Sequence, residues 1–246
     1  MNVFEVVDKK MPEIVRKYVD DENYAQLIDS VEDRVDELTK HECEKILEEI
    51  LAKVGLSIDA ESFLGKTDGE AIHSLSAFCA CVLVGVYREF VKKPFSMIAK
   101  RYVSIPEYRK KVKDCLSSLI SGFGEEKAES IWKSLRGDRY IPIERVYRPV
   151  RRGKNTRKFA YGYFFIEMID EIYAQLSSRM KTLQELEKRK ERFVDHAQLK
   201  EEIRGIYAEL GELASYRSEL GKIIGLKRIK EEIERELSLP IFQDVV

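Results

Sequence analysis

The chain has 246 residues, 44% of them hydrophobic, with eleven Phe and twelve Tyr, enough apolar material for one large domain or two smaller ones plus an extension. Charged residues reach 35%, well above the roughly 25% of an ordinary globular chain, while Asn (three) and Gln (five) are scarce, a composition common in proteins from hot environments. Four cysteines in no C-x-x-C pair and three isolated histidines argue against a disulfide scaffold and a zinc site, and no run approaches the roughly 20 apolar residues that would span a bilayer.

The opening MNVFEVVDKK has no secretory pattern, so a cytoplasmic protein is expected. Residues 3–54 read as helices, because Val31, Val35, Leu38, Ile46, Ile50, Leu51 and Val54 recur at helical spacing among acids. Gly55 is a helix stop, and a loop carrying Gly65 and Gly69 follows. Residues 70–91 form a second helical region, whose apolar centre Leu75–Tyr87 is too short to cross a membrane, and Pro94 breaks it. Ser96–Val103 is a short helix. Ser104, Pro106 and Glu107 then supply the N-cap, first-turn proline and third-position acid of a helix from 106 to 121. Gly122 and Gly124 end it, and Glu125–Leu135 is another short helix.

From Tyr140 the pattern turns β-like. Tyr140, Ile141, Ile143, Val146, Tyr147 and Val150 precede the turn Gly153-Lys154-Asn155. Thr156 to Phe165 then brings Phe159, Tyr161, Tyr163, Phe164 and Phe165. These runs predict a β-hairpin, with Pro149 confining its first strand to an edge. The last third is heptad-like. Ile169, Ile172, Leu176, Leu183, Leu186 and Phe193 keep one register, interrupted by Arg179 and Lys190. Leu199, Ile203, Ile206, Leu210, Leu213, Leu220 and Ile224 keep a second, interrupted by Arg217. The phase slips near Asp195-His196, where Asp195 and Gln198 form a capping-box pattern, so an antiparallel helical hairpin is expected, with one long shifted helix as the rival. Leu226, Ile229, Ile233 and Leu237 mark a final amphipathic helix closed by Pro240. The expected fold class is therefore mainly α. A helical N-terminal domain spans 1–122, and a central helix-turn-helix or winged region with one β-hairpin reaches 166. A C-terminal antiparallel helical hairpin and terminal helix occupy 167–246.

Charge is divided along this order. Residues 1–70 carry 9 Lys and Arg against 19 Asp and Glu, whereas residues 133–158 carry 10 against 2. Between them, Arg88–Lys113 holds nine basic residues and two acidic ones. Concentrated positive charge beside an acidic segment creates a field suited to polyanions. Two clusters are the candidate nucleic-acid contacts. The first is Lys92, Lys93, Lys100, Arg101, Arg109, Lys110, Lys111 and Lys113, on a helix-turn-helix form whose second helix starts near these cations, an arrangement suited to phosphate. The second is Arg145, Arg148, Arg151, Arg152, Lys154, Arg157 and Lys158, near the tip of the expected hairpin, where cations reach a backbone or a minor groove.

Residues 42–120 resemble one cyclin-like repeat of the archaeal and eukaryotic general transcription factor B family. The likeness rests on Gly65-Lys66 before a helix, Ala77-Phe-Cys-Ala-Cys-Val-Leu, Pro94-Phe-Ser-Met-Ile-Ala-Lys, and Tyr108 to Leu119. It implies a small-residue helix in the core and a helix-turn-helix on DNA, with Lys100, Arg101, Arg109 and Lys110 on the nucleic-acid side. Residues 125–220 resemble a winged helix running into a coiled coil, as in transcription factor E or dimeric winged-helix regulators. That likeness implies a wing on DNA and dimerisation by C-terminal helices.

No P-loop, G-x-S-x-G, H-E-x-x-H or deaminase pattern is present, so no catalytic residue, metal or cofactor is expected. The expected function is nucleic-acid binding, duplex DNA favoured, in a transcription-related protein that forms a homodimer or joins a helical partner and binds no membrane. A helical scaffold protein is the alternative reading, and a nuclease using dispersed carboxylates a further one.

Overall fold

The computed structural model describes residues 3–137, 156–189, 195–228 and 231, and every regular element among them is a helix. They form two compact units that divide between Lys92 and Lys93.

The first unit is built from helices with well-satisfied ends. Helix α1 spans Val3–Asp20 and α2 Glu22–Arg34, where the Asp21 side chain accepts from the Tyr24 N–H at 3.1 Å. A 3₁₀ turn, Val35–Glu37, leads to α3, Lys40–Val54. Its start is a capping box: the Thr39 hydroxyl accepts from Glu42 N–H, and the Glu42 carboxylate accepts from Thr39 N–H at 2.8 Å. Its end is Gly55 at φ 70°, the left-handed position that the sequence marks as a stop. The short α4, Ala60–Leu64, is capped by Asp59, and α5, Asp68–Tyr87, opens on a second capping box, Thr67 with Glu70. Leu75, Phe78, Cys79, Val82 and Val86 of α5 are buried in a core shared with Ile14, Tyr18, Ile28, Leu47, Ile50 and Leu64. Helices α1 and α5 approach closely at Gly85, where a Cβ would lie 2.7 Å from Val15 Cγ2. Burial pushes the Cys79 thiol up to about 12, which makes it a packed core group.

Pro94 does not end the helical run. A π-helical segment, Arg88–Lys92, follows α5, and α6, Lys93–Ser104, begins directly after it. The switch to i→i+5 bonding lies just before Pro94, which supplies no N–H to the helical ladder. The run Asp68–Ser104 is therefore longer than Leu75–Tyr87 implied. By length and composition it is apolar enough to cross a membrane, and 33% of its apolar 18-residue window is buried.

The second unit contains α6, α7 (Pro106–Ser121), α8 (Glu125–Arg136), α9 (Thr156–Arg189) and α10 (His196–Ile224). Thr156–Phe165, expected as the returning strand of a hairpin, is instead the start of α9. Tyr161, Phe164, Phe165, Met168, Ile169, Ile172 and Leu176 are buried at helical spacing, and that packing overrides the strand preference of the aromatics. Residues 140–155, the first strand and turn of that hairpin, lie outside the described residues, as does most of the expected terminal helix. Phe95, Trp132, Phe164 and Phe165 form an edge-to-face aromatic cluster joining α6, α8 and α9, with Trp132 to Phe164 centroids 4.4 Å apart.

Helices α9 and α10 run antiparallel. Gly162 meets Ile224, where an added Cβ would overlap the isoleucine; Asp170 meets Arg217, Arg179 meets Glu202, and Glu187 meets Lys200. The seam residues Ile169, Ile172, Leu176, Leu210, Leu213 and Leu220 are buried within this one chain. Arg179 and Arg217, which interrupt the heptads, are each answered by an acid on the facing helix.

Candidate nucleic-acid interface

A single residue, Ile105, separates α6 from α7. Ser104 was expected to cap α7. It is instead the last residue of α6, and its hydroxyl donates to the Lys100 carbonyl. Ile105 takes the N-cap position and offers no side-chain hydrogen bond, so the first N–H groups of α7 have no side-chain cap. Two of the predicted contacts, Lys100 and Lys110, are exposed here, and their ammonium groups make no ion pair or hydrogen bond among the described residues. Arg101 is exposed and lies over the Tyr108 ring, 4.2 Å from its centroid. Lys111 is exposed and donates to the Ser134 carbonyl at the end of α8, at 3.0 Å. Lys110 and Lys111 line a cleft with Glu107 and Asp114, which weakens the local positive field. Lys93 is exposed at the start of α6, while Lys92 belongs to the first unit.

Arg109 and Lys113 have a different role. Arg109 donates from Nε to the Tyr102 carbonyl at 3.2 Å and from Nη2 to the Val103 carbonyl at 3.0 Å, and its Nη1 lies 3.1 Å from Glu209 Oε2. Lys113 Nζ is 3.4 Å from Glu209 Oε1 and pairs with Glu212 Oε2. The buried Tyr102 hydroxyl donates to Glu209 Oε1 at 2.7 Å. These two predicted contacts therefore tie α6 and α7 to α10. Glu209, 6% exposed, was not picked out in the sequence, although it stands between Ile206 and Leu210 on the apolar stripe of its helix. Of the second cluster, Arg145, Arg148, Arg151, Arg152 and Lys154 lie outside the described residues; Arg157 and Lys158 fall in the first turn of α9, their side chains outside the description.

Burial alone would raise the Glu212 carboxyl, but hydrogen bonds from Lys113 and Tyr216 hold it below its usual range. Burial alone would lower Lys113, but its bond to Glu212 and the charge of Glu209 hold it high. Glu212 thus contributes stability that is present above the unfolded carboxyl value and lost as pH falls through its folded one. Lys113 contributes stability present below the unfolded ammonium value and lost as pH rises through its folded one. Wild type should exceed Glu212→Gln by less than about 1 kcal/mol, since the pair is partly solvated, between about pH 5 and 10. The gap should close in acid. Denaturation midpoints across pH measure this, and a gap unchanged at pH 2 would show that the ion pair contributes nothing.

Among the described residues no three His, Cys, Asp or Glu side chains are placed to hold a metal ion. The chain matches no known protein family, no curated protein and no solved structure.

Proposed function

We propose that the chain is a nucleic-acid-binding protein, with duplex DNA the favoured ligand, acting in transcription or a related process without catalysis. One observation carries this reading: the α6–α7 corner presents Lys100, Arg101, Lys110 and Lys111 to solvent beside a helix start with no side-chain cap. Backbone N–H groups and side-chain cations acting together suit phosphate. The strongly basic segment 133–158 adds charge of the same sign.

Affinity for duplex DNA should fall steeply with salt, with a log–log slope of about −0.9 for each phosphate contacted. Replacing Lys100, Arg101, Lys110 and Lys111 together with Ala should weaken binding and flatten that slope by roughly 1 per contact removed. Fluorescence anisotropy with duplex DNA, single-stranded DNA and RNA at graded salt reads both effects. Absence of binding to any of the three at low salt would end the proposal.

A scaffold role is favoured by a different observation, the capture of Arg109 and Lys113 by Glu209 and Glu212, which turns part of the basic helix into internal structure. A folded wild-type chain that binds none of the three nucleic acids at low salt would support that reading.

A further inference from the structure

We propose that the outward face of α5 is a homodimer interface, in which two copies of the helix pack antiparallel about a two-fold axis near Ala80 and Cys81. The first observation is a mismatch between composition and burial. The helical run containing α5 is apolar enough to pass as a membrane span, yet only 33% of its apolar window is buried. His73, Ala77, Ala80, Cys81, Val84 and Arg88 are exposed at helical spacing on the side away from the core, with Val84 57% exposed. An uncovered apolar helix face of this kind marks a contact surface.

Self-complementary charge selects a second copy as the occupant. The face begins with Glu70 and ends with Arg88 and Lys92, and the two cations make no ion pair among the described residues. Antiparallel pairing about Ala80 and Cys81 sets Ala77 against Val84 and His73 against Arg88. It brings Arg88 of one copy within three residues of Glu70 on the other, about 4.5 Å along the axis at the α-helical rise. A parallel pair would instead place like charges together. Ala77, Ala80 and Cys81 are small enough to let the axes approach the short end of the roughly 8–10 Å seen between packed helices. A two-fold contact of this kind is closed, since each copy presents the same patch. A bilayer is the poorer occupant, because Leu75, Phe78, Val82 and Val86 on the opposite side hold the first unit's core together. The apolar seam of α9 and α10 is already covered within the chain, so it leaves the assembly role to another surface. This inference does not depend on nucleic-acid binding.

Sedimentation equilibrium of the full chain over a micromolar concentration series tests it. The wild type should dimerise, and Ala80→Arg or Val84→Glu should weaken the dimer at least about tenfold, equivalent to about 1.4 kcal/mol, with unchanged helical content. In a Cys115→Ser background, which removes the one other thiol that is not buried, a short bismaleimide should link the chains, and adding Cys81→Ser should abolish the link, since Cys43 and Cys79 are buried. A wild type that stays monomeric, or a dimer unaffected by both substitutions, would overturn the proposal. So would a monomer that binds vesicles through this face, with Ala80→Arg releasing it. If Ala80→Arg fails to fold, Val84→Glu and the Cys81 cross-link decide the outcome.

Discussion

Glu209→Ala is expected to destabilise the protein by about 3–5 kcal/mol, the range for breaking a buried ion pair from one side. Glu209 is the one charged side chain that is buried among the described residues. It receives the Tyr102 hydroxyl and lies against Arg109 and Lys113, so its removal strands a buried phenol and leaves two cations short of a partner. Tyr102→Phe removes a hydrogen bond but keeps the ring, and should cost about 0.5–1.5 kcal/mol. Glu209→Gln keeps the volume and should fall between the two. Urea unfolding followed by circular dichroism gives all three values. A Glu209→Ala protein within about 1 kcal/mol of wild type would show that Arg109 and Lys113 reach water readily, as phosphate-binding side chains would.

Trp132→Ala should cost a similar amount, about 3–5 kcal/mol, through lost burial and the cavity left behind. The ring is fully buried and meets Phe95, Phe164 and Phe165 edge to face, which makes it the joint between α8, α6 and α9. Its indole Nε1 has no hydrogen-bond partner among the described residues, so Trp132→Phe loses volume but no hydrogen bond and should be much milder. Trp132 is also the only tryptophan in the chain, so its fluorescence follows unfolding of this cluster directly in the wild type. Equal losses for Ala and Phe would mean that the indole nitrogen is bonded after all.

Local signals in the sequence proved the most informative. Gly55 ends α3 in the left-handed conformation, Asp195 caps α10 by accepting from Ala197 and Gln198 N–H, and the phase slip between heptad registers falls where α9 gives way to α10. The mainly helical class followed from periodicity. Aromatic residues misled at Thr156–Phe165, because strand preference describes a pleated half-buried surface, and here the same side chains have a helical core to fill. Ser104 misled for a related reason: a hydroxyl one residue before the turn can bond backward to Lys100 as well as forward, and only the chain geometry selects. The partition of the cations was not legible. Arg109 and Lys110 are neighbours of one type, and what separates their roles is an acid a hundred residues later in the chain. The one available clue was Glu209 itself, an acid in step with Ile206 and Leu213 on an otherwise apolar stripe.

The Tyr102–Glu209 bond also has a place in the chain entropy of folding. It joins residues 107 apart, whereas the hairpin pair Arg179–Glu202 spans 23. Closing the larger loop alone costs about 1.4 kcal/mol more at 25 °C by the logarithmic loop law. The α9–α10 hairpin lessens this cost once formed, because it already holds Glu209 in place and shortens the free path back to α6. The buried clasp is thus inexpensive only after the hairpin exists, and an exposed surface pair at the same separation would not outweigh the freedom it removes.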